Sequence, residues 1–141
     1  MGKIMSIDYG LRRIGIAETD ELQLIATGLT TVDNNLIWKF LEEHLKKNTV
    51  DCIVVGKPVG LDGLATDATL STSNFVVKLK KKYPEIQVDE LNEIFTSKLA
   101  KQAMLQGGMK KKDRRKKGMV DQIAATIILQ DYMHRRDGGF A

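Results

Sequence analysis

Residues 3–17 read KIMSIDYGLRRIGIA and place two short apolar segments on either side of a polar turn. Lys3–Ile7 and Arg13–Ala17 have the length and composition that are typical of core strands. The turn between them contains Gly10, which allows a tight reversal or a close approach of the backbone. We therefore predict that the chain opens with a β-hairpin, around which the rest of the fold is organised.

Asp8 stands at the tip of the first predicted strand. Ionised carboxylates are rarely placed beside a core unless they are hydrogen-bonded, paired or bound to a metal. This position makes Asp8 a candidate for chemistry. The structural alternative is that Asp8 only opens an Asx-type turn before Gly10.

The length and composition predict one intracellular domain over residues 1–141. A chain of 141 residues can bury about two thirds of its unfolded surface without disulfides. Its single cysteine, Cys52, lies in an apolar run, so neither a disulfide framework nor a cysteine-rich zinc site is expected. The opening residues lack the apolar core of a signal peptide, and no stretch approaches the roughly 20 apolar residues of a membrane span. We expect a cytoplasmic protein with no membrane partner.

The net charge of +4 comes from one segment of the chain. Residues 110–117 hold seven basic side chains and one acid, and the remainder of the chain is slightly acidic. So dense a block of like charge favours an unfolded loop that contacts nucleic-acid phosphates. A merely solubilising loop is the alternative. The basic residues are Lys110, Lys111, Lys112, Arg114, Arg115, Lys116 and Lys117.

The order of the remaining elements predicts an α/β fold. Apolar residues recur at helical or strand spacing in seven further segments. An antiparallel meander comes first and crossover connections follow, which indicates a mixed sheet. The predicted segments are a strand at Leu24–Val32, a helix around Leu36–Leu45, a strand at Asp51–Val55, a helix at Leu64–Lys82, a strand at Ile86–Leu91, a helix from Thr96 to Met104, and a helix at Met119–Met133.

Asp121 lies on the unexpected face of the last predicted helix. Counting by three, four and seven residues leads to Ala124, Ala125 and Ile128, which should pack on the sheet. An acid that only complements the helix dipole would face solvent instead. A metal ion shared with another carboxylate would explain this placement.

A third acid, Glu93, follows the predicted strand Ile86–Leu91, in a strand-to-helix junction where ligands bind in α/β sheets. Asp89 and Glu90 are alternatives by position. Asp8, Glu93 and Asp121 would form a cluster of hard oxygen ligands, which suits Mg²⁺ or Mn²⁺ better than zinc. Two such ions, about 3.5–4 Å apart, would activate a water and stabilise the leaving oxygen of a phosphodiester.

Three motifs resemble the YqgF/RuvX family, whose members are described as Holliday junction resolvase-like or pre-16S rRNA-processing nucleases. Asp8–Gly15 is similar to the family's opening signature of aspartate, glycine, two basic residues, isoleucine and glycine. Val54–Gly63 resembles its Val-Val-Gly, proline and Asp-Gly loop, and Val120–Tyr132 resembles its closing helix. The resemblance implies an RNase H-like fold with a five-stranded sheet, its first three strands antiparallel. It also implies a carboxylate metal site at the end of the first strand.

One motif departs from the family pattern. The family typically shows Asp-Glu-Arg-Leu-Thr-Thr where this chain has Asn92 to Ser97, so Glu93 carries over but the arginine is replaced by Ile94. The change removes a phosphate contact and would reduce activity or alter the substrate.

The leading functional prediction is a metal-dependent nuclease acting on structured nucleic acid, most simply in processing pre-16S rRNA during ribosome biogenesis. Asp8, Glu93 and Asp121 would hold the metal, and Arg12, Arg13, Lys57 and the basic segment would contact phosphates. The alternatives are resolvase-like cleavage of branched DNA, a non-catalytic nucleic-acid-binding or ribosome-assembly factor, and an actin-like ATPase, for which the chain is too short. Mg²⁺ against Mn²⁺, and a monomer against a homodimer, stay open.

Overall fold

The computed structural model describes residues 2–57, 67–92 and 117–137. They form a five-stranded sheet with the strand order β3-β2-β1-β4-β5, a short 3-10 helix and three α-helices. The predicted α/β fold is confirmed, and the predicted helix from Thr96 to Met104 lies outside the described residues. The strands are β1 Lys3–Asp8, β2 Arg13–Thr19, β3 Ala26–Asp33, β4 Val50–Lys57 and β5 Gln87–Asn92; the helices are the 3-10 helix Asn34–Leu36, α1 Ile37–Lys47, α2 Asp67–Lys82 and α3 Lys117–Arg136.

The strand pairing follows the order in which the elements occur in the chain. β1 pairs antiparallel with β2, and β2 pairs antiparallel with β3. On its other side β1 pairs parallel with β4, and β4 pairs parallel with β5. The predicted antiparallel meander and the parallel strands that follow it are both present, and they meet at β1, which is the central strand.

The two faces of β1 are covered by different helices. Met5 and Ile7 belong to a core with α1 and α2, whereas Ile4 packs with residues of α3. Ser6 points to the α3 side as well, because its hydroxyl donates a 2.6 Å hydrogen bond to the carbonyl oxygen of Ala125. Side chains alternate along a strand, so Asp8 falls on the α3 face and Tyr9 falls on the opposite face.

β3 begins at Ala26 rather than at the predicted Leu24. The backbone N–H groups of Leu24 and Ile25 each donate a 2.8 Å hydrogen bond to the carboxylate of Asp20, so they are not available to the sheet. These two bonds hold the pKa of Asp20 below its ordinary value. The loop before β3 is therefore held by hydrogen bonds from the backbone to the Asp20 side chain, which a pattern of alternating apolar residues does not predict.

A polar cluster joins the C-terminal half of α3 to β4 and β5. The hydroxyl of Tyr132 donates a 2.5 Å hydrogen bond to Asp89, and its oxygen lies 3.4 Å from the sulfur of Cys52. Gln87 donates a second hydrogen bond, of 2.8 Å, to the same Asp89 oxygen. Cys52 is buried in the apolar cluster beneath α3, and its sulfur also contacts the polar groups of Tyr132 and Asp89. Burial raises the pKa of its thiol, which keeps it protonated.

Replacing Tyr132 with phenylalanine should reduce stability at neutral pH by about 1 kcal/mol, because a hydrogen bond to a partly exposed carboxylate is lost. Burial, and then the bond to Asp89, raise the pKa of Tyr132 above its ordinary value of 10.0. The folded state therefore retains the phenol proton while the unfolded chain loses it above about pH 10, and the wild-type advantage should shrink as the pH rises further. Urea denaturation from pH 7 to pH 11 measures this difference, and a constant gap would contradict it.

None of the helices within the described ranges combines the length and hydropathy of a membrane-spanning segment.

Candidate functional site

Asp8 ends the central strand between two glycines. It pairs with Gly15 on β2 and with Gly56 on β4, so neither neighbouring strand places a side chain beside its carboxylate. Glycine within a strand commonly marks a close approach of another backbone or of a ligand. The two glycines therefore leave room for another group to approach the sheet on either side of Asp8.

The first turns of α3 fill the space above Gly15. A methyl group added to Gly15 would overlap the backbone carbonyl of Asp121 and would lie 3.0 Å from its Cβ atom. Adjacent strands lie only about 4.8 Å apart, so the helix that rests on Gly15 brings Asp121 next to the strand of Asp8. Two acids that are more than a hundred residues apart in the chain thus both lie beside Gly15, at the same end of the sheet.

Asp121 lies on the sheet side of α3, as its spacing from Ala124, Ala125 and Ile128 predicted. Those three residues are buried, and the Asp121 side chain is only 21% exposed. Its Oδ2 accepts a 3.0 Å hydrogen bond from Nε of Arg13, the first residue of β2. The sequence predicted a metal ion as the counter-charge of Asp121, and in the structure the guanidinium of Arg13 supplies one.

The predicted phosphate-binding residues near Asp8 and Asp121 differ in their exposure and in the face of the sheet on which they lie. Arg13 is half-buried against Asp121, whereas Arg12 is exposed. Lys57 ends β4 and pairs with Glu90 at 3.4 Å. Val55, two residues before Lys57, packs with α1 and α2. Because residues two apart on a strand share a face, Lys57 lies on the face opposite to Asp121.

Asp89 and Glu90, the alternatives to Glu93 as a metal ligand, already have polar partners in the structure. Asp89 accepts hydrogen bonds from Tyr132 and Gln87, and Glu90 pairs with Lys57 on the other face. Glu93 itself lies outside the described residues, immediately after β5, whose last residue, Asn92, stands opposite Lys57 in the sheet. The basic residues 110–116 are likewise outside, and Lys117 is the first residue of α3.

Asp8 and Asp121 fit the chemistry of a divalent-cation site. Hard cations such as Mg²⁺ take carboxylate oxygens, and one or two protein carboxylates suffice when waters and substrate phosphates complete the shell. Within residues 2–57, 67–92 and 117–137, no group of three metal-ligating side chains is assembled. Sequence reasoning identified both acids but not the roles of Gly15 and Gly56, for which a glycine inside a strand pattern is the available signal.

The match to known proteins extends over nearly the whole chain. The family model described as RuvX, Holliday junction resolvase, matches residues 2–135. A protein of Christiangramia forsetii named "Putative pre-16S rRNA nuclease" is 44% identical over 134 residues, covering 95% of this chain and 99% of the relative. A protein of Phocaeicola vulgatus with the same name is 46% identical over 136 residues, covering 96% and 98% of the two chains.

Two solved structures show the same fold at low sequence identity. The Fowlpox virus resolvase, in complex with Holliday junction DNA, aligns with a TM-score of 0.59 at 13% identity, over 95% of this chain and 98% of the resolvase. RuvC of T. thermophilus, with a Holliday junction substrate, aligns with a TM-score of 0.57 at 16% identity, over 98% and 97%. The predicted RNase H-like architecture is confirmed, and so is the predicted family: the chain belongs to the RuvX family of Holliday junction resolvases, a family of nucleases.

Proposed function

We propose that this protein is a divalent-metal-dependent endonuclease that acts on structured RNA, with the precursor of 16S rRNA as its substrate. The observation that supports the proposal is that Asp8 and the backbone of Asp121 both lie beside Gly15. The relatives that are more than 40% identical over nearly the full chain carry the name of a pre-16S rRNA nuclease, which favours RNA over branched DNA.

Asp8 and Asp121 would hold the metal, with Glu93 as the third ligand. The alternation of β5 supports Glu93, because Asp89 and Leu91 lie on the α3 face and Glu93 is the next residue of the same phase in the sequence. A bound Mg²⁺ or Mn²⁺ supplies an activated water and charge stabilisation at the leaving oxygen.

Arg13 would serve two partners in turn. In this structure its guanidinium neutralises Asp121, and the same group carries further N–H donors in a planar fork that suits phosphate oxygens. A metal ion at Asp121 would compete for the carboxylate, so Arg13 would then be available to orient the substrate phosphate. Arg12, Lys57 and the basic segment 110–117 would extend the phosphate contacts.

The test is cleavage by the wild-type protein of a 16S precursor transcript and of a four-way DNA junction, each with Mg²⁺, with Mn²⁺ and with chelator. We expect metal-dependent cleavage of the transcript, together with a higher melting temperature in either metal, since an ion that binds only the folded state stabilises it by mass action. Preferential cleavage of the junction would support resolvase-like activity instead. Nucleic-acid binding without cleavage of either substrate would support the binding-factor alternative.

A further inference from the structure

An aromatic pocket opens on the face of the sheet opposite to Asp8 and Asp121, at the same end of the strands. It has a volume of about 340 Å³, within the range of about 300–1,000 Å³ that is common for small-molecule sites. Its lining includes the rings of Tyr9, Trp38 and Phe75 and the polar side chains of Asn74 and Lys78. Tyr9 follows Asp8 in the chain, and its side chain lies on the opposite face, so the pocket and the proposed metal ligand lie at the same end of β1 on opposite faces of the sheet.

The three rings form a fixed platform. Phe75 is only 5% exposed, and its ring centre lies 4.9 Å from that of Tyr9 and 5.1 Å from that of Trp38. Tyr9 and Trp38 are each half-buried, packed at one side against the core. Phe75 belongs to the core, whereas Tyr9 and Trp38 keep aromatic surface at the pocket.

Lysines of α2 surround the exposed side of Trp38. Lys78, Lys81 and Lys82 line an adjoining depression of about 420 Å³ with this ring. The ammonium of Lys82 lies 5.2 Å from the ring centre, within the range of a cation–π contact. The described residues that line these two depressions include no acid. The surface thus joins aromatic rings, an amide and positive charge, which favours a polyanion that carries planar bases.

We propose that this pocket is a subsite for one unpaired nucleobase of the substrate, at the same end of the sheet as Asp8 but on the opposite face. The base would stack in the pocket beside Trp38 and Tyr9, and Lys78, Lys81 and Lys82 would contact the phosphates that flank it. This inference rests on the proposed function, because it takes the ligand to be nucleic acid. It adds that the substrate must present an unpaired nucleotide that reaches the face of α1 and α2, and it gives this face a role in recognition.

Trp38 is the single tryptophan of the chain, so its fluorescence reports on the pocket alone. Titration of the protein in chelator with single-stranded RNA should quench this fluorescence in a saturable manner. A parallel titration with single-stranded DNA compares binding to ribose and deoxyribose backbones. An abasic oligonucleotide of equal length carries the phosphates without the bases. It should bind roughly tenfold more weakly, as expected for the loss of one stacked base, and should leave the fluorescence unchanged.

Lys78→Gln and Lys80→Gln form a matched pair, because both lysines are exposed on α2 and only Lys78 lines the pocket. Lys78→Gln should lower the log–log salt slope of binding by about 0.7, and Lys80→Gln should leave it unchanged. Binding measured by the anisotropy of a labelled oligonucleotide, without quenching of Trp38 or with equal effects of the two variants, would overturn the subsite, as would an absence of binding. Quenching by single-stranded RNA, together with no cleavage of the 16S precursor transcript in either metal, would support the subsite and contradict the nuclease proposal.

Discussion

Replacing Gly15 with alanine should destabilise the protein by about 3 kcal/mol, at the upper end of the usual cost of overpacking. The added methyl group would overlap the backbone of Asp121, and a helix backbone cannot move aside as a flexible side chain does. Relief of the overlap requires α3 to move away from β2. Because α3 carries Asp121, the same change should weaken the response of the melting temperature to divalent metal.

Gly28→Ala is the control for this prediction. Gly28 lies on β3 under the same helix, but its added methyl group would meet only the side chains of Gln122 and Thr126, at 3.4 Å. We expect a change in the free energy of unfolding of less than about 1 kcal/mol, since alanine also reduces the entropy of the unfolded chain. Urea denaturation of the two variants gives the comparison. Equal stabilities would show that α3 does not rest on Gly15 as closely as the structure places it.

Replacing Asp8 with asparagine should abolish metal-dependent cleavage, with a loss of more than about a hundredfold. Removing a group that only orients a metal ligand lowers metal affinity or activity by about 10–100-fold. The loss of a ligand itself should have a larger effect. The change keeps the shape of the side chain, so the fold should persist in chelator. The metal-induced rise in melting temperature should disappear together with the cleavage.

Asp121→Asn should reproduce the loss of cleavage with little effect on stability. The variant removes the ion pair with Arg13, whose two side chains are 35% and 21% exposed, and pairs that solvent screens contribute about 0–1 kcal/mol. Asp131→Asn is the matched control, because Asp131 lies on the same helix and pairs with Arg135 at 3.2 Å, ten residues beyond the site. It should leave cleavage and the metal response intact. A strongly destabilised Asp121→Asn that still cleaves would assign Asp121 a structural role.

The order of the elements and the placement of both acids could be predicted from the sequence. Each depends on a local period: alternation in Lys3–Asp8 places the carboxylate at a strand end, and helical spacing places Asp121 beside Ala125 on the buried face. The start of β3 moved because the Asp20 carboxylate accepts the backbone N–H groups of Leu24 and Ile25, and several other boundaries moved by one to three residues. The family motifs indicated the RNase H-like fold because they extend along the whole chain.

The contacts that build the site were decided by the tertiary structure. Arg13 and Asp121 are separated by 108 residues, and the pair of Tyr132 and Asp89 by 43. No local period predicts which side chain of one element will meet a given side chain of another, because that depends on strand order and on how closely the layers pack. Gly15 shows the reason most directly. Its missing side chain produces no periodic pattern, yet it allows α3 to lie close to the sheet, so that the backbone of Asp121 lies against the residue that pairs with Asp8.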